Sequence, residues 1–177
     1  NHFLADINPN YDVVLFDSHD DGRTWVHERW LHAEQAGGHS GCVPSRVAEL
    51  ANGSWLLASS WYPGMKPLEG TEGGIIEIYQ SEDRGRTWRL YSQLQAYPPH
   101  SLSEPTILPL KDGRLLLYAR ENRTDGLPGV KALSSDMGKT WQVQDLPFSV
   151  TGRTCAGFLR DGRVMMTFGF GEDVGGH

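Results

Sequence analysis

The eight-residue pattern Ser-x-Asp-x-Gly-x-Thr-Trp occurs three times in this chain, as SHDDGRTW (18–25), SEDRGRTW (81–88) and SSDMGKTW (134–141). A recurring turn at wide spacing implies a recurring structural unit, and a fold built by repetition has to be recognised before any local reading. Aligning the chain on its Asn/Asp-Gly pairs enlarges the unit. SRVAELANGSWLLASSW (45–61), PTILPLKDGRLLLYAR (105–120) and TCAGFLRDGRVMMTFG (154–169) superpose without gaps about Asn52-Gly53, Asp112-Gly113 and Asp161-Gly162. Asn-Gly or Asp-Gly between apolar runs is a strong hairpin signal, because both residues tolerate positive φ. Each hairpin supplies strands A and B. Strand C leads into every octapeptide (DVVLF 12–16, IIEIYQ 75–80, VKALS 130–134), and a weaker strand D follows the Trp, as in RLYSQL (89–94) and WQVQDL (141–146).

The unit is therefore four antiparallel strands in about 50–60 residues, the pattern of a β-propeller blade. No stretch carries a 3.6-residue apolar period, so helix is predicted to be scarce. Within the octapeptide, Ser and Asp can accept backbone N–H bonds and close the loop on itself. Gly22, Gly85 and Gly138 supply a conformation that a Cβ obstructs. Trp25, Trp88 and Trp141 are predicted to bury their rings between neighbouring sheets. The turn is a fastening device rather than a reactive one.

With 177 residues the chain can bury a real core, and its 21 Gly and 6 Trp suit short strands joined by tight turns. A net charge of −6 with signs intermixed, and no basic stripe, argue against a nucleic-acid partner. No apolar run reaches the length of a membrane span, and the first residues do not read as a signal peptide. Asn1 reads as the start of a fragment or of a processed chain. Cys42 and Cys155 sit in apolar segments and are expected to be buried free thiols. The 7 histidines never fall at metal-ligand spacing along the sequence, which predicts no transition metal.

The octapeptides resemble the Asp-boxes, or BNR repeats, of the sialidase (neuraminidase) superfamily, which lie between strands C and D of a six-bladed propeller. The likeness extends over essentially the whole chain, and residues 1–177 read as one propeller region. It opens with a half blade (1–42), continues through blades at 43–94 and 104–146, and ends in a half blade (151–177). Three blades fall short of a closed ring, which needs at least about four. Either the chain is part of a longer propeller, or two copies form a homodimer in which each terminal A–B hairpin completes the partner's C–D half.

Alternating strand directions put the A–B turns and the Asp-boxes at one end of each blade. The start of A, the end of B and the start of C lie at the other. With Asp112 at the hairpin centre, residue 108 faces 116, 106 faces 118 and 104 faces 120. Glu104 and Arg120 should thus meet away from the Asp-box, with Tyr118 and Thr106 on the same face. From the residues alone this is equally a cross-strand ion pair on a solvated rim.

The resemblance adds a function. Glu104, Leu110, Asp112, Gly113, Leu115, Leu116, Leu117 and Arg120 match a sialidase motif position by position, with Ser103 in place of its Asn. It implies that Glu104 is the base that activates a tyrosine nucleophile, and that Arg120 is one of three arginines gripping a sugar carboxylate. A planar guanidinium suits that grip, and a neutral nucleophile avoids repulsion by an anionic substrate. At the family's first-arginine position stands Cys42 or Val43, depending on the alignment, with Arg46 nearby. The loop 66–74, where the family carries an acidic Asp, offers Glu69 and Glu72. The third Arg and the nucleophilic Tyr belong to a blade that this sequence does not contain. Arg153 occupies in the next blade the slot that Glu104 fills in its own. Trp61, Tyr62 and His100 lie in loops at the same end, suited to stacking on sugars and bonding their hydroxyls.

The resulting expectation is a sialidase-like glycoside hydrolase, or part of one, acting on a terminal carboxylated sugar without a cofactor. The alternative is a propeller that binds glycan without turnover. The resemblance also implies a secreted or periplasmic location.

Overall fold

The computed structural model describes residues 13–33, 35–38, 41–42, 46–61, 74–94, 100–122 and 127–169, with backbone alone at 41–42. Among these residues there is no helix, and none that could cross a membrane. An antiparallel pair, β1 (Val13–Asp17) and β2 (Val26–Leu31), comes first. In the next sheet, β3 (Gly41–Cys42) and β4 (Val47–Glu49) both pair with β5 (Trp55–Trp61) as two pieces of one edge strand. β6 (Ile75–Ser81) and β7 (Arg89–Leu94) follow in order. A second sheet runs β8 (Leu102–Pro109), β9 (Leu115–Glu121), β10 (Val130–Ser134) and β11 (Gln142–Asp145), each strand beside its predecessor. The last pair is β12 (Cys155–Phe158) and β13 (Val164–Thr167). The molecule is all-β, with two four-stranded antiparallel sheets of blade type.

Alternating side chains on both faces of these strands create three apolar layers between successive sheets. Leu31 and Ala33 meet Leu57 and Tyr79 between the first pair and the first full sheet. Leu56, Ile76 and Ile78 meet Ile107, Leu115 and Leu117 between the two full sheets. Leu108 and Tyr118 meet Val150 and Ala156 before the last pair. Inner strand β8 packs against both β4 and β12, which gathers the inner edges of successive sheets.

The A–B turns differ from the two-residue form expected of Asn-Gly and Asp-Gly. Only the glycine is left-handed (φ 82° at Gly53, 87° at Gly113, 88° at Gly162). The preceding Asn or Asp instead accepts the N–H two residues on, at 3.1 Å for Ser54 and Arg114 and 3.0 Å for Arg163. The loop is closed by Leu50, Leu110 and Leu159 bonding the carbonyls of Ser54, Arg114 and Arg163, each at 2.8 Å. A side chain that mimics a backbone acceptor makes a second left-handed residue unnecessary.

The three octapeptides are near-identical objects. Ser81 Oγ accepts the Gly85 N–H at 2.7 Å, and Asp83 takes the Thr87 N–H at 2.8 Å and its hydroxyl at 2.7 Å. Ser134, Asp136, Gly138 and Thr140 repeat the pattern, as do Ser18, Asp20, Gly22 and Thr24. Trp141 lies against the layer between the two full sheets, its indole N–H donating to Ser92 Oγ at 3.4 Å. Trp88 lies against the layer before it, its indole N–H donating to the Gly85 carbonyl at 3.2 Å. Trp25 departs from the expectation: it is 62% exposed, because no described sheet lies against its side of the first pair. Cys155 is likewise exposed rather than buried, for the same reason at the other end of the series.

Candidate functional site

Glu104 and Arg120 come together at the end of the second full sheet opposite its Asp-box, with Arg120 Nε donating to Glu104 Oε2 at 2.6 Å. Each side chain is 20% exposed, so the pair is neither sealed in the core nor free on a rim. Its register differs from the sequence expectation. Thr106 faces Tyr118 and Leu108 faces Leu116, but Arg120 is paired with Ser103. Glu104 and Pro105 together oppose Ala119, a β-bulge that places one extra residue in the inner strand. Pro105 lacks the N–H that an unbroken ladder would use, which suits it to that place.

The bulge puts Glu104 in the left-handed region at φ 47°, uncommon for a residue with a Cβ. Such backbone persists where surrounding structure over-determines it. Here the Glu104 N–H donates to Ser60 Oγ on β5 at 3.2 Å, and its carbonyl accepts the Thr154 hydroxyl at 3.0 Å. Three successive sheets thereby fix one carboxylate.

Arg153 brings a second guanidinium, 3.9 Å from Glu104 Oε1 and half exposed. One carboxylate between two guanidiniums leaves an excess positive charge, an arrangement able to receive an anionic group. Arg46 spans the inner strands, its Nη1 donating to the Ala156 carbonyl at 3.3 Å. Trp61, expected in a loop, is instead the last residue of β5, half-buried and paired with Gly41.

Two other expected members are engaged elsewhere. Tyr118 is buried in the apolar layer with Leu108, Val150 and Ala156, and that burial raises its phenol pKa. His100 lies in a loop, just before β8, but is buried rather than open to sugar. Its Nδ1 lies 2.6 Å from Glu121 Oε2 and its Nε2 3.2 Å from Asp145 Oδ1, which leaves neither ring nitrogen for a ligand. Glu69, Glu72 and Tyr62 lie outside the described residues.

Sequence reasoning did not find Ser60 and Thr154, which act through Glu104's backbone. Pro105 inside an otherwise regular strand was the available signal for the bulge. A groove of about 270 Å³ lies away from Glu104 and is lined by residues that include Trp30, His32, Gln35, Arg86 and Trp88. Trp30 and His32 stack there with centroids 5.8 Å apart.

The family model described as BNR repeat-like domain matches residues 8–172. A curated sialidase of Bacteroides fragilis (strain YCH46) is 25% identical over 150 residues, covering 79% of this chain and 24% of the relative. The solved α-L-arabinanase of Penicillium chrysogenum, complexed with arabinobiose, has a TM-score of 0.70 at 22% identity. That likeness covers 95% of this chain and 52% of the other. The NanB sialidase of Streptococcus pneumoniae has a TM-score of 0.61 at 18% identity, over 86% of this chain and 23% of its own. The chain thus spans about a quarter of the curated sialidase and about half of the arabinanase.

Proposed function

Because the chain belongs to the family of BNR repeat-like domains, we propose that it is part of a sialidase-like glycoside hydrolase whose described half of the site holds an anionic sugar. The observation that carries this reading is the Glu104–Arg120 contact at 2.6 Å, formed at a bulge tied to both neighbouring sheets. In the proposed mechanism Arg120 releases part of its hold on Glu104 to take the substrate carboxylate, with Arg153 adding charge at the same edge. Glu104 accepts a proton from a hydroxyl nucleophile. The nucleophile, and the acid that protonates the leaving oxygen, are contributed from outside the described residues, with Glu72 and Glu69 as candidates for the acid. Complete blades forming a six-membered ring, from a longer chain or from a second copy, belong to this same proposal.

The test is release of a fluorophore from a 4-methylumbelliferyl sialoside, run beside the corresponding arabinofuranoside. Turnover of the sialoside that is abolished by Glu104→Gln supports the reading. Turnover of the neutral arabinoside alone would remove the anionic sugar from it, and sialoside turnover unaffected by Glu104→Gln would remove Glu104.

One observation favours a second reading, glycan binding without turnover: the stacked Trp30–His32 pair presents aromatic surface in an open groove. Under that reading, glycan-array binding persists in Glu104→Gln and is lost in Trp30→Ala.

A further inference from the structure

Three of the positions at which the first hairpin differs from its two internal copies carry metal-ligating side chains. Asp17, His19 and His27 stand where the second copy has Gln80, Glu82 and Leu90 and the third has Leu133, Ser135 and Val143. Asp17 ends β1, His19 lies within the Asp-box, and His27 is the second residue of β2, so the three are distant in pattern but adjacent across the turn. One donor atom from each lies within 4.8 Å of the other two. His27 Nδ1 is 3.6 Å from Asp17 Oδ2. Donors placed about 2 Å from a tetrahedral ion stand roughly 3.3 Å apart, so a small side-chain adjustment completes the set.

Leu15 pairs with Arg29 and Asp17 with Val26, so His27 and Glu28 form a bulge opposite Phe16. The second copy is bulged at the corresponding place, where Ile78 pairs with Ser92 and Tyr79 with Leu90, and what sets the first hairpin apart is its backbone at His27. His27 is left-handed at φ 55°, which neither Leu90 nor Val143 is. A bulge re-aims the side chain it carries, and this one carries an imidazole. The other Asp17 oxygen, Oδ1, accepts from Arg29 Nη2, which holds the carboxylate in place and leaves Oδ2 toward the histidines. Arg29 is itself fixed over the Trp55 ring on the next sheet, 5.7 Å from its centroid.

We propose that Asp17, His19 and His27 form a binding site for a divalent first-row transition metal, Zn²⁺ in the first instance. Two imidazoles and a carboxylate are borderline donors that suit Zn²⁺, Cu²⁺ or Ni²⁺ and not Mg²⁺ or Ca²⁺. The bound ion cross-links β1 to β2 through the Asp-box and leaves coordination positions open to solvent or a ligand. The histidine spacing read along the chain misses this set because its members meet across a hairpin.

The experiment is a zinc titration of the whole untagged chain, by calorimetry and against a chromophoric zinc indicator. One saturable Zn²⁺ per chain is expected at micromolar protein, weakened at least about tenfold by His19→Ala or His27→Ala and unchanged by His32→Ala. Zinc should also raise the thermal midpoint of the wild type and not of the double variant that combines His19→Ala with His27→Ala. His19 is at a variable Asp-box position, so its variant tests the site without disturbing the fold. Absence of a saturable site, displacement by millimolar Mg²⁺, or wild-type affinity in the double variant each overturns the proposal.

Discussion

Thr154 donates its hydroxyl to the backbone carbonyl of Glu104 at 3.0 Å, from just before one inner strand into the bulge of the preceding one. The catalytic geometry proposed for Glu104 therefore depends on a residue that has no contact of its own with substrate in that scheme. Thr154 is fully buried, and Thr154→Val keeps its shape while removing the donor. The variant should lose about 1–2 kcal/mol in urea unfolding. If the bulge aims the carboxylate, sialoside turnover should fall further than stability does, with kcat affected more than KM, and Thr154→Ser should restore both.

The left-handed backbone at Glu104 gives a way to separate fold from chemistry. Asn tolerates φ 47° better than most residues, whereas a β-branched side chain there is strained. Glu104→Asn should stay within about 1 kcal/mol of wild type, while Glu104→Val should be less stable than Glu104→Asn by about 1–2 kcal/mol. Both remove the carboxylate, so both should be inactive. Equal stabilities in urea melts would show that the backbone there is not strained.

Much of the fold was legible because it is written three times. The octapeptide and the Asp/Asn-Gly pairs are local signals, and repetition converts each into evidence for the others. Strand C of the second full sheet runs over Val130–Ser134, as its apolar alternation indicates. What one sequence position cannot carry is a relation between sheets. Trp25 holds the same Asp-box position as Trp141, yet it is exposed, because burial depends on which sheet lies opposite. The Glu104–Arg120 meeting was legible from strand alternation, but its register was not, since a bulge shifts pairing without changing composition. His100 reads as a loop histidine in sequence, and its burial follows from Glu121 and Asp145, 21 and 45 residues onward.

The Asp-box glycines offer a graded test of packing between sheets. Gly138 is left-handed at φ 90°, and a Cβ built there falls 3.2 Å from Leu56 Cδ1 and 3.3 Å from Leu115 Cδ1, in the layer between the two full sheets. Gly113, at φ 87°, has nothing within 4 Å of the same position. Gly113→Ala should lose only the conformational term, about 1–2 kcal/mol. Gly138→Ala adds displacement of two core leucines and should be lower by a further 1 kcal/mol or so. Thermal melts of the pair decide it, and an equal loss at both sites would mean that the layer yields freely around Gly138.

Acid stability should report the Asp-boxes directly. Burial pushes the Asp83 carboxyl up, but the Thr87 N–H and hydroxyl and the Ser81 hydroxyl outweigh it and bring the pKa down to about 2. The Thr140 hydroxyl and N–H, with help from Ser134, hold Asp136 at about 2 against a smaller burial effect. Both ionised forms are favoured by folding, relative to an ordinary value of 3.8. Their contribution is therefore complete above pH 3.8 and is lost as pH falls toward 2. The first box, where the Thr24 N–H lowers the Asp20 carboxyl, acts in the same direction. Carboxyl-carbon NMR titration should place the Asp83 and Asp136 midpoints well below 3.8 in the folded protein. Replacing both with Asn should lower stability at neutral pH and flatten its decline in acid, because a neutral amide has no proton to gain. A double variant whose stability declines through this window as steeply as wild type would place the acid sensitivity elsewhere.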